Sequence, residues 1–212
     1  MIGISMQAQT LLSSTIEEKS NRLVEVLLSS ISPFEMMTGK IVGLIGVTFT
    51  LMATWSAAGA YLVVRNHWQS FVPGDVFVWF LAYLVLAIVF YSTFIIAIGS
   101  AVTELKEAQN LMTPVWIVLM VPFFLMFFVG EHPDATWARV LSFIPFFTPF
   151  LMVNRVASAV PPSPIELGLS IVVMAAASAF AIWFAARVFR TAILLYGKAA
   201  TPRELLRWMR AG

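Results

Sequence analysis

Apolar residues in this chain gather into long unbroken blocks instead of alternating with polar ones. Ile41–Val64, Val76–Val102, Leu111–Gly130 and Ile165–Ala186 each run for about 20 residues or more, the length a helix needs to cross bilayer hydrocarbon. The pattern predicts an all-α integral membrane protein with about four transmembrane helices. Residues 1–16 are too short and too polar for a span. They lack a basic leading region, and Gln7 and Gln9 interrupt them, so they are not a signal peptide either. They read as the inner end of a preceding helix. The pattern then breaks at residues 17–40, "EEKSNRLVEVLLSSISPFEMMTGK", with four carboxylates, two lysines and an arginine. On a helical wheel Ile16, Leu23, Val24, Leu27, Leu28 and Ile31 form one apolar stripe. Glu18, Arg22, Glu25 and Ser29 lie on another face, with Glu18 and Arg22 in the favourable i,i+4 order. This predicts an amphipathic helix, although a solvated loop helix has the same pattern.

Helix starts are marked three times by Ser/Thr-Pro-x-Glu, at 32–35, 163–166 and 201–204. In each the hydroxyl can accept from the N3 amide, and the glutamate can reach back to the cap amide. Proline suits the first helical position because its missing N–H is not needed there. At the first start, Ile31 and Met36 have the spacing of a hydrophobic staple. A helix therefore begins at Pro33 and leads into the first span. Residues 141–153, "LSFIPFFTPFLMV", are apolar but only 13 long, and Pro145 and Pro149 interrupt them. They suggest a re-entrant or interfacial element. After the last span, Leu205, Leu206, Trp208 and Met209 oppose Arg203, Arg207 and Arg210, so 191–212 reads as an amphipathic tail.

Composition agrees with the pattern: 60% hydrophobic, 11% charged, mean hydropathy +0.89. A net charge of +2, with no basic cluster interleaved with aromatics, gives no reason to expect a nucleic-acid partner. Cysteine is absent, which excludes disulfides and thiolate metal sites. Charge also sets orientation. With 17–40 inside, the inner segments hold Lys19, Arg22, Lys40, Lys106, Arg187, Arg190, Lys198, Arg203, Arg207 and Arg210. The outer ones hold Arg65, Arg139 and Arg155. This positive-inside bias places both ends of the chain in the cytoplasm and 141–153 outside.

Familiar chemistry is missing. "TGK" at 38–40 resembles the end of a phosphate-binding loop, but Phe34 stands where its first glycine belongs. No H-E-x-x-H or G-x-S-x-G motif occurs, and His67 and His132 are isolated. No charge lies deep in a span; Glu166 and Arg187 lie at ends, which disfavours an ion-coupled carrier. Gly39, Gly43, Gly46 and Ala175–Ala177 offer close helix contacts, within the chain or to another copy.

The residues Glu17, Glu18, Lys19, Arg22, Glu25, Leu27, Leu28, Ser30, Ser32, Pro33, Gly39 and Lys40 resemble a stretch of the permeases of type-2 ATP-binding-cassette exporters. The sodium-extrusion branch is the most similar. "IPFFTPFLMVNRVA" (144–157) and "VFRTAILLYGKAATPRELLRW" (188–208) agree as well. The resemblance implies one transmembrane domain over 1–212: a helix end at 1–16, a cytoplasmic coupling segment at 17–40, four spans within 41–190, and a tail at 191–212. Such permeases begin with a further helix, a large outer domain and a second helix, of which 1–16 would be the end. The resemblance implies that Glu17, Glu18, Lys19, Arg22, Glu25, Leu28, Ser30, Ser32, Pro33, Glu35, Gly39 and Lys40 meet a separate ATPase subunit. An outer re-entrant element carries Pro145, Phe146, Pro149, Asn154 and Arg155. No cofactor is expected on this chain, since the partner hydrolyses the ATP. A second permease copy or a related permease and the lipid bilayer are the other implied partners. The expected function is export of sodium, drug or lipid-like substrate, with a non-transporting membrane scaffold or truncated assembly subunit as the alternative. No enzymatic site is expected.

Overall fold

The computed structural model describes residues 2–21, 26–27, 29–67, 74–102 and 104–192. They form seven helices: α1 (Ile2–Ser20), α2 (Pro33–Arg65), α3 (Gly74–Ala101), α4 (Leu105–Glu131), α5 (Thr136–Ser142), α6 (Thr148–Val156) and α7 (Pro164–Ala192). Among the described residues there is no strand. The chain is an all-α membrane protein, with α2, α3, α4 and α7 long and apolar enough to cross a bilayer. α2, α4 and α7 contain their apolar blocks whole, and α3 stops at Ala101, one residue short of the end of its block; α2 begins eight residues before its block, at the turn capped by Ser32.

The start of α2 follows its sequence closely. Ser32 N donates to Glu35 Oε2 (2.7 Å) and Glu35 N donates to Ser32 Oγ (3.2 Å), so both bonds of the capping box are made. Along the helix Thr38, Thr50 and Thr54 donate to carbonyls four residues back, which satisfies hydroxyls that lipid cannot. The helix ends where Asn66 Nδ2 donates to Leu62 O (2.8 Å) and His67 takes a φ of 57°. That left-handed residue closes the last turn. The isolated histidine of the sequence is thus part of a helix stop.

Prolines shape the 141–153 region. Pro145 cannot extend α5, and Pro149 sits in the first turn of α6. Between them Phe147 N and Thr148 N both donate to Ile144 O, at 2.7 and 2.8 Å. The apolar stretch therefore holds the end of α5, a turn at 143–147 and most of α6.

The chain divides into two compact units, and the long helices contribute to both. One comprises Met1–Leu44, Ile88–Ile117 and Ser178–Gly212. Its buried apolar side chains include Leu11, Leu12 and Ile16 of α1, Met37 of α2, Ile95 and Ile96 of α3, and Met112 of α4. The other comprises Ile45–Ala87 and Val118–Ala177. There Tyr83, Met152, Val156 and Leu167 form one cluster, and Val129, Ala138 and Leu151 another. Between lipid-facing helices such contacts act through close packing more than through exclusion of water.

One expected boundary moves. Residues 17–20 do not open a separate amphipathic helix but complete α1, which turns only at Asn21. The cause is tertiary: the charges that should end the helix have partners on α2 and α3.

Candidate functional site: a polar clasp and a buried arginine

In the first unit, α1 lies against the last turn of α3. Gly99 makes this possible, since a Cβ there would lie 3.2 Å from Thr15 Cβ and Cγ2. Close approach brings Lys19 Nζ to Ser100 O at 2.6 Å, with the lysine only 1% exposed. Ser100 O belongs to the last turn of α3, where carbonyls lack an amide partner within the helix. A cation there also meets the favourable end of the helix dipole. Lys40 of α2 closes the clasp. Its Nζ lies 2.6 Å from Glu18 Oε2 and donates to Thr15 Oγ1 at 3.1 Å. The Glu18 contact is ionic by distance, although its direction falls short of a hydrogen bond. The lysine of "TGK" thus ties helices together and has no phosphate loop around it.

Burial lowers the Lys19 amine to about 8 from its ordinary 10.5. Between those values the folded chain has lost a proton that the unfolded chain keeps, so stability rises with pH through that window. Denaturant midpoints in detergent micelles should climb from about pH 8 to pH 10 for the parent relative to Lys19→Met. A constant difference between the two would show that the amine is not buried.

The polar run is therefore split. Lys19, Glu18 and Lys40 face the interior, whereas Glu17, Ser30, Ser32, Glu35 and Gly39 are exposed. Pro33 opens α2, and Arg22, Glu25 and Leu28 lie outside the described residues. The exposed part also displays apolar side chains: Val26 (68%), Leu27 (41%), Ile31 (38%) and Phe34 (53%). No sequence pattern marks Thr15 or Ser100 as partners. The signal that could point to this contact is Gly99, a lone glycine in "IIAIGSA", since small residues let membrane helices approach closely.

The second unit holds a buried arginine. Arg155 on α6 is 1% exposed; its Nε donates to Pro133 O (2.9 Å) and its Nη1 to Glu166 Oε1 (2.5 Å). Glu166 was expected to return to the Ser163 amide. Only the reciprocal bond is seen, Glu166 N to Ser163 Oγ at 3.2 Å, because Arg155 engages the carboxylate. Nearby, Tyr83 and Ser170 share a 2.5 Å hydrogen bond between α3 and α7. Of the other expected residues, Pro149 is buried and Pro145, Phe146 and Asn154 are half-buried. Asn154 Oδ1 is buried with no hydrogen-bond partner among the described residues. Residues 191–192 of the expected tail complete α7, and the rest of it, with the 201–204 helix start, lies outside the described residues. Among the described residues no group of three or more histidines and carboxylates could hold a metal.

A family profile described as ABC-2 family transporter protein matches residues 1–187. The chain belongs to that family. This ABC-2 member is 28% identical over 206 residues to the uncharacterized protein MJ1024 of Methanocaldococcus jannaschii, covering 97% of this chain and 50% of that one. It is 26% identical over 221 residues to the uncharacterized protein YhaP of Bacillus subtilis, covering 98% and 52%. The chain spans about half the length of the curated relatives it matches. No solved structure matches it.

Proposed function

We propose that this ABC-2 family chain is a permease subunit of an ATP-binding-cassette exporter in the cell membrane, driven by a separate ATPase subunit. The observation that carries this reading is the family match, together with the exposed side chains between α1 and α2. In this reading, 17–40 and the chain ends are cytoplasmic. The ATPase meets Leu27, Ile31, Phe34 and Glu35, and the clasp of Glu18, Lys19 and Lys40 holds that surface on α3. Arg22, Glu25 and Leu28 complete the contact. ATP is bound and split by the partner, with no cofactor on this chain. The α5–α6 hairpin is the outer re-entrant element. Supporting a second permease copy, a Cβ added at Gly39, Gly43 or Gly46 would meet nothing within 4 Å among the described residues. These glycines are open to another helix.

The test is to purify the tagged chain from its native membranes and to assay everted vesicles for ATP-dependent uptake of candidate cations and drugs. The parent should retain a nucleotide-binding subunit. Leu27→Asp and Phe34→Asp should insert normally yet lose that subunit and at least about tenfold in uptake, since charges at an apolar contact cost several kcal/mol. Full ATPase retention by both variants would rule out this docking surface. Absence of any ATPase from the parent would overturn the exporter reading.

A further inference from the structure

Ser32-Pro33-Phe34-Glu35 and Ser163-Pro164-Ile165-Glu166 are the same helix-start motif, yet their glutamates differ in what they bind. Glu35 takes the amide of its own cap residue, Ser32, at 2.7 Å. Glu166 keeps the shared half of the motif, its amide donating to Ser163 Oγ at 3.2 Å, but its carboxylate holds Arg155. The glutamate of α7 therefore has two competing donors, the guanidinium on α6 and the amide of Ser163. A side-chain rotation separates them. The α2 motif shows that the second geometry is accessible to this sequence pattern.

Arg155 is built to leave with its own segment. Two of its contacts, Pro133 O at 2.9 Å and Met152 Sδ at 3.8 Å, lie within residues 133–156. Only the contact with Glu166 crosses to α7. The rest of that seam is apolar: Met152 and Val156 of α6 cluster with Leu167 of α7 and Tyr83 of α3, and Phe143, Val153 and Ile171 pack against them. These contacts add no directional bond between α6 and α7.

We propose that Glu166 is a two-position latch. Bound to Arg155, it pins the α5–α6 hairpin to α7. Turned onto the Ser163 amide, it completes the cap of α7 and releases the hairpin, with Arg155 still held by Pro133. The carboxylate is satisfied in both positions, so the cost of release falls on Arg155, which then keeps only Pro133 O and Met152 Sδ; the pinned position is therefore the favoured one.

The test uses the full chain in nanodiscs of phosphatidylethanolamine and phosphatidylglycerol. Spin labels go at Ile144→Cys, in the turn between α5 and α6, and at Val172→Cys on α7; both sites are exposed and the chain has no other cysteine. Their separation is read by pulsed electron double resonance, and hydrogen exchange is followed at the Ser163 amide. Arg155→Gln should add a second distance band and slow Ser163 exchange by about tenfold, the effect of one added cap bond. Glu166→Ala should add the same band with no slowing. If Arg155→Gln does not reach the membrane, Arg155→Lys must give both changes in smaller amount. A single unchanged distance band in both variants, or unchanged Ser163 exchange in the arginine variant, overturns the latch.

Discussion

Replacing Glu166 with alanine is expected to destabilise the folded chain by about 3 kcal/mol, the low end for breaking a buried ion pair. The arginine it leaves is 1% exposed, with a carbonyl and a thioether as its remaining partners. Neither neutralises a cation, and the neighbouring cluster of Met152, Val156 and Leu167 is apolar. The reverse change should be milder. Arg155→Met leaves a carboxylate that is 16% exposed and has the Ser163 amide within its reach, so about 1 kcal/mol is expected. Thermal unfolding in detergent, followed by tryptophan fluorescence, would separate the two. Equal losses would mean that Glu166 has no second partner.

Gly99→Val should open the clasp. An added Cβ would lie 3.2 Å from two carbons of Thr15 and 3.4 Å from Leu12 Cδ1, and valine adds two methyls beyond it. Overpacking of this kind costs about 1–3 kcal/mol. The strain is most easily relieved by lifting α1 from α3, which takes Lys19 from Ser100. A water-soluble amine-acylating reagent at mildly alkaline pH provides the readout. Lys19 should be protected in the parent and modified in Gly99→Val, while exposed lysines react equally in both. Protection in both would mean that α3 moves to accommodate the side chain.

Local signals carried most of the fold. Span lengths follow from uninterrupted apolar runs, and the start of α2 from four residues whose two bonds form as the motif predicts. Pro145 and Pro149 likewise marked where α5 stops and α6 starts. What escaped the sequence depends on partners distant along the chain. Glu35 and Glu166 occupy identical motifs, and nothing nearby announces that an arginine eleven residues before one of them will claim it. Lys19 and Lys40 belong to the polar run of the sequence, but periodicity records which side of a helix a residue occupies, not what covers that side. Ser100 contributes a carbonyl, which any residue would supply, so no side-chain pattern could reveal it.

The length of α2 has a mechanical consequence. Its 33 residues make a rod about 50 Å long, against roughly 30 Å of bilayer hydrocarbon. The helix must lean or carry its first turns into the headgroup layer, and Lys40 stands in its second turn. A thicker bilayer would stand the rod upright and a thinner one would tip it, each change levering the Glu18–Lys40 contact. Bilayer thickness thus becomes a load on the clasp, felt by this chain without any ligand.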